Sequence, residues 1–171
     1  MTKLHSLVID ITNRINRINM IEDINKYKDL IVELYKLQAN IFVLYLKSWG
    51  AHWNVEGINF IELHELFKEL YEGLGEEIDR IAEGIGSLGY KAPANLELYL
   101  KLSQLKEFKG NESYDILLNS LLSDLLEIEN LLLNSNKEAV NVKCEAVLNM
   151  LQDIIEQNRV YIYKLRRTAK G

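Results

Sequence analysis

The sequence predicts an all-α protein: four long helices packed as a bundle, with one long crossover between the second and third. Three observations carry this. Apolar residues recur at three- and four-residue spacing along almost the whole chain. One Pro and nine Gly in 171 residues leave little to interrupt a helix. Hydrophobic residues make up 48% and charged residues 26%, which suits a packed core in a chain of single-domain length.

The elements follow in order. Leu4, Leu7, Val8, Ile11, Ile15 and Ile18 mark a short amphipathic helix, so residues 1–26 read as an N-terminal helical extension to a bundle domain over 27–171. The first long helix runs from about Tyr27 to Val55 through Leu30, Leu34, Leu37, Ile41, Leu44 and Tyr45. Gly57 ends it, and the next starts near Asn59, continuing to Leu88 with Gly89 as its stop. On this second helix Leu63, Phe67, Leu70, Leu74, Ile78, Ile81 and Ile85 form the apolar stripe. Pro93 opens a short helix over Ala94 to Leu102, within the crossover. Ser113 is a candidate N-cap for a helix over Tyr114 to Leu133, with Leu117, Leu121, Leu125, Ile128 and Leu132 facing the core. Asn134-Ser135-Asn136 reads as a turn, and the last helix runs from about Lys137 to Arg167.

Composition removes several function classes. A formal charge of −5 argues against a surface given over to nucleic acid. The single cysteine, Cys144, excludes an intrachain disulfide framework and a cysteine-rich zinc module; it reads as a free, structural thiol within a helix. No apolar run is long enough to span a bilayer, and the N-terminus lacks a secretory pattern, so the expected location is the cytoplasm.

The chemistry gathers around the first corner. His52 sits near the end of one helix and His64 one to two turns into the next, so an antiparallel hairpin brings them to one surface. Taking His64 as zero at about 100° per residue, Lys68, Asp79 and Glu83 fall near 40°, 60° and 100°, beside the apolar stripe centred near 280°. Glu72 and Glu76 lie in the same polar sector. Such a face is ordinarily just solvated. The Asp79/Glu83 pair at i,i+4, however, repels itself unless a cation sits between.

Spacing limits what can share a metal. His64 and Asp79 are fifteen residues apart, about 22 Å along a helix, so one chain cannot bring both to one ion. If they share a site, a second, antiparallel subunit completes it, with a two-fold axis near Tyr71 and Glu72 and two equivalent sites per dimer. The Glu-x-x-His pattern of di-iron bundles is absent, since Trp49 and Ile61 precede His52 and His64 by three.

The run His52-Trp53-Asn54-Val55-x-Gly57-x-x-Phe60-x-x-Leu63-His64-Glu65, followed by Ile78-Asp79-x-Ile81-Ala82-Glu83, resembles the Dps family, the DNA-protection-during-starvation mini-ferritins of the ferritin-like superfamily. The likeness extends over roughly residues 28–168. It implies a ferritin-like four-helix bundle, a hollow dodecamer built from two-fold dimers, and oxidation of Fe(II) by hydrogen peroxide or oxygen with storage of the ferric product. Carried over by position, His52 of one subunit with Asp79 and Glu83 of its mate would hold the first iron, and His64 would serve a second, weaker position. Trp53, beside His52, would be near enough for electron transfer, though packing is its ordinary role.

One position departs from the family pattern. Where an Asp or Glu normally follows the second His by four residues, this chain has Lys68. An ammonium about 4 Å from a divalent cation is repelled by roughly 8 kcal/mol at an effective dielectric near 20, before the side chain swings away or pairs with Glu72 one turn on. The expectation is one firm metal per site, a weak or empty second position, and slowed oxidation. DNA is the less favoured partner. The first 29 residues carry one excess positive charge, and the stretch from Glu156 carries Arg159, Lys164, Arg166, Arg167 and Lys170, which also suit a helix C-terminus. Beside an iron-oxidising mini-ferritin stand two alternatives: a structural or DNA-protecting shell disabled by Lys68, and a metal-free helical module, which leaves both His and the Asp79/Glu83 pair unexplained.

Overall fold

A computed structural model describes residues 25–109 and 112–169, so the expected N-terminal extension lies almost wholly outside the described residues. Those residues form five helices and no strand: α1 (Lys28–Asn54), α2 (Phe60–Ser87), α3 (Leu96–Leu102), α4 (Tyr114–Asn141) and α5 (Glu145–Thr168). The all-α expectation and the four-helix bundle both hold.

Each long helix buries the stripe its spacing announces. Leu30, Leu34, Leu37, Ile41 and Leu44 of α1 are fully buried against Leu63, Phe67, Leu70, Leu74, Ile81 and Ile85 of α2. Leu121, Leu125, Ile128 and Leu132 of α4 and Leu151 and Ile154 of α5 close the core. Tyr45 and Ile78 stand at its edge, half-buried.

The helix pairs run antiparallel. Lys47 of α1 meets Asp124 of α4, and Lys164 and Asp153 of α5 meet Glu69 and Arg80 of α2. At Gly73 α2 leaves room for Tyr161 of α5: a Cβ there would stand 1.9 Å from the Tyr161 hydroxyl. The crossover carries α3, capped by Asn95, whose Oδ1 accepts the Leu98 N–H. Asn40, wholly buried in α1, accepts from the Ser103 hydroxyl and the Gln104 N–H, pinning the crossover to the bundle.

Helix ends correct the sequence reading at one place. Asn134-Ser135-Asn136 is not a turn; α4 passes through it to Asn141. Ser135 and Ala139 are fully buried on the face that continues from Ile128 and Leu132. Burial of that face outweighs the weak turn preference of an Asn-Ser-Asn run. The break comes at Lys143, in the left-handed region at φ 54°, with the Cys144 N–H returning to the Ala139 carbonyl. Cys144 is therefore the buried N-cap residue of α5, not a mid-helix position. Ser113 does occupy the N-cap of α4, but its hydroxyl makes no capping bond. Gly89 ends α2 as expected, at φ 82° with the Tyr90 N–H bonding back to the Ile85 carbonyl.

Candidate metal centre

The α1–α2 corner is fixed by burial on both sides. Ala51, Val55 and Leu63 are almost wholly enclosed, and Gly57 turns the chain at φ 109°, a backbone that a side chain would strain. This places His52, two residues before the end of α1, directly over His64. The imidazoles stack with centroids 3.7 Å apart.

Their hydrogen bonds cross. His52 Nδ1 lies 2.8 Å from the His64 carbonyl, and His64 Nδ1 lies 2.9 Å from the His52 carbonyl. A carbonyl only accepts, so both Nδ1 atoms carry protons and donate. In each neutral ring the lone pair is then left on Nε2, the atom a metal would take. The backbone of one hairpin thus sets both tautomers and both orientations.

The carboxylates are elsewhere. Asp79 and Glu83 are exposed on α2, about 22 Å and 28 Å of helix from His64, and neither pairs with another described residue. Arg80, between them in sequence, is taken by Asp153 at 2.8 Å. No group of three His, Cys, Asp or Glu among the described residues stands together within one chain. Lys68 is half-buried one turn beyond His64. It makes no ion pair with another described residue, and the pairing with exposed Glu72 raised by the sequence is not formed. Lys164 holds Glu69 on the same stretch of α2.

Two features escaped the sequence reading. Glu77 is buried, 5% exposed, at the rim of the α2 stripe, with Oε1 unpartnered. Burial pushes its carboxyl up to about 8, with Arg80 pulling down and Glu76 adding to the rise. The second is a continuous set of aromatic rings around the histidines. Tyr71 meets His52 edge-on with centroids 5.2 Å apart; Trp49 lies 5.9 Å from Tyr71 and 4.6 Å from Trp53. Its signal was present in the sequence as Tyr45, Trp49 and Trp53 at four-residue spacing.

The donor types would suit iron at one position if a second chain brought the carboxylates to the histidine corner. Imidazole nitrogen with carboxylate oxygen, and room for an oxidant, suits a redox-active ion. At the neighbouring position Lys68 offers an ammonium with no lone pair while protonated, so the residues present do not fit a second metal equally well.

An antiparallel bundle with a helix-bearing crossover and a histidine pair at its first corner defines a ferritin-like protein. The ferritin-like domain family matches residues 31–170. The DNA protection during starvation protein of Brevibacillus brevis is 37% identical over 123 residues, 72% of this chain and 83% of that protein. A crystal structure of a Dps protein from Bacillus brevis aligns with a TM-score of 0.81 at 32% identity, covering 84% of this chain and 97% of that one. The Dps protein of Vibrio cholerae O1, described as a member of a broad superfamily of ferritin-like diiron-carboxylate proteins, aligns at 0.81 and 26% identity over 84% of this chain and 91% of that one. This chain belongs to the Dps family.

Proposed function

We propose that the protein oxidises Fe(II) at sites completed between two subunits and stores the ferric product inside a hollow dodecamer in the cytoplasm. Iron here is substrate and cargo. The observation that carries the reading is the crossed histidine pair, which presents two Nε2 atoms in fixed tautomers at the end of a hairpin. His52 would bind iron together with Asp79 and Glu83 of an antiparallel partner, and His64 would serve the second, weaker position beside Lys68.

Exposed apolar side chains support a partner at this corner. Trp53, Ile58, Phe60 and Ile61 project around the turn, with Ile58 99% exposed, and Leu96, Leu98 and Leu100 project from α3. Apolar exposure gathered around one turn in this way suits an interaction surface. No described helix is long and apolar enough to cross a membrane.

A second reading, a shell that protects or organises without oxidising iron, is favoured by Lys68 alone. DNA binding through the C-terminal basic residues is weakened by their existing partners. Arg159 holds Glu129, Lys164 holds Glu69, and Arg167 lies over the Tyr163 ring. The deciding experiment is an Fe(II) oxidation time course with oxygen and with peroxide against an iron-only control. We expect protein-dependent acceleration that Asp79→Ala reduces to the control. A wild-type trace matching the control would reject the oxidase and leave the shell.

A further inference from the structure

We infer that Lys68 is a carbon dioxide acceptor: its amine takes up CO2 as a carbamate, and the modified side chain, with His64, forms the second metal position. This rests on the metal-binding part of the proposed function. It resolves the misfit at that position, where the ammonium beside His64 has no lone pair to offer.

Lys68 is the side chain placed to complete the pair. It follows His64 by one turn of α2, the i,i+4 spacing at which two side chains share a helix face. The stem of a helical side chain lies over the turn before its own Cα, and for Lys68 that turn carries His64. Measured round the helix from His64, Lys68 stands at about 40°, whereas Glu72, Glu65 and Glu62 of the same groove stand at about 80°, 100° and 160°. His64 keeps an Nε2 lone pair, because its Nδ1 is spent on the His52 carbonyl. An oxygen donor on Lys68 would join that nitrogen as an imidazole–carboxylate-type set. The groove holds two amines, and Lys164 is taken by Glu69. Lys68 is half-buried and makes no ion pair with another described residue, so its Nζ is the uncommitted one. The groove opens to solvent, which brings carbon dioxide to it.

The step balances. The ammonium gives one proton to water, and the freed Nζ lone pair attacks the carbon of CO2. An N–C bond forms, one C–O π bond opens to place its electron pair on oxygen, and the nitrogen releases a second proton to water. Nothing is oxidised or reduced. The side chain passes from one positive charge to one negative, so the group that repelled a cation becomes a ligand for it. Glu62, Glu65 and Glu72 oppose a further negative charge in the groove, and the carbamate therefore persists only beside a bound divalent cation. Metal and carbon dioxide each raise the occupancy of the other.

The test uses the assembled full-length protein and Zn(II), which does not change oxidation state. Samples are held in CO2-free buffer or in carbon-13 bicarbonate at the same pH, with and without zinc. Carbamate is trapped by ethylation with a trialkyloxonium salt and located by peptide mass spectrometry, while tightly bound zinc is counted by elemental analysis. The label should appear on Lys68 only when zinc and bicarbonate are both present, with zinc rising from about one to about two per site. Lys68→Gln should stay at about one in either buffer, and Lys68→Asp should reach about two without bicarbonate. An unlabelled Lys68 with both present, or a label without added zinc, overturns the proposal. If Lys68→Asp gains the second zinc and the wild type in bicarbonate does not, the carbamate alone fails and the metal centre stands. If neither protein binds zinc, the metal centre fails and the carbamate with it.

Discussion

At the scale of the residue, function turns on which groups are already satisfied. His52 and His64 each spend one nitrogen on a backbone carbonyl and keep the other. Lys68, one turn on, makes no ion pair with another described residue, though Glu62, Glu65 and Glu72 line the same groove. An ammonium beside the proposed cation position repels the cation, and those carboxylates and relaxation along its flexible stem reduce the effect. Replacing it with a carboxylate turns repulsion into ligation. Lys68→Asp should therefore raise tightly bound divalent metal from about one to about two per site, read by calorimetric titration with the metal alone. Unchanged stoichiometry would mean that Lys68 does not govern the second position. The histidine pair was legible in the sequence because a short turn between two helices leaves few ways to place residues twelve apart. Glu77 was not. It sits about 60° from the centre of its stripe, where burial depends on how closely α5 approaches, and no local pattern reports that distance.

At the scale of the element, most helices could be read from periodicity, because the apolar stripes of α1, α2 and α4 are nearly unbroken. The end of α4 could not. A polar Asn-Ser-Asn run was weighed by its local preference, whereas its buried Ser135 answers to tertiary packing. The contact between α1 and α4 shows the same limit. Lys47, buried in α1, pairs with Asp124 of α4, donates to the Ser120 hydroxyl at 3.1 Å and lies 4.6 Å over the Phe108 ring. Burial raises the Asp124 carboxyl while Lys47 pulls it back. Removing one member strands the other. Lys47→Met should cost about 3 kcal/mol and lower the thermal midpoint, whereas Lys47→Met with Asp124→Leu should recover most of the loss. A double variant no better than the single one would show that the pair's geometry, and not the stranded charge, sets the stability.

At the scale of the whole molecule, the arrangement of the four proposed ligands makes a demand that a single chain cannot meet. The roughly 22 to 28 Å between His64 and the Asp79/Glu83 pair is set by the rise of α2, which no side-chain motion shortens. A site built from both ends of this helix must take one end from each of two chains. Twelve chains of 19.8 kDa would give a particle of about 238 kDa, but mass alone does not locate the site. Complementation does. A chain with His52→Ala lacks one half of each site it enters, and a chain with Asp79→Ala lacks the other half, so either alone should be inactive. In a mixed two-fold pair one site receives both defects and the other receives none. Random co-assembly makes half of all pairs mixed, so co-expression should restore about one quarter of wild-type Fe(II) oxidation. Sites contained within single chains would restore nothing, because every chain carries a lesion. Recovery near a quarter would place the oxidation chemistry between subunits, and no recovery from a correctly sized mixed particle would return all four ligands to a single chain and require α2 to be broken.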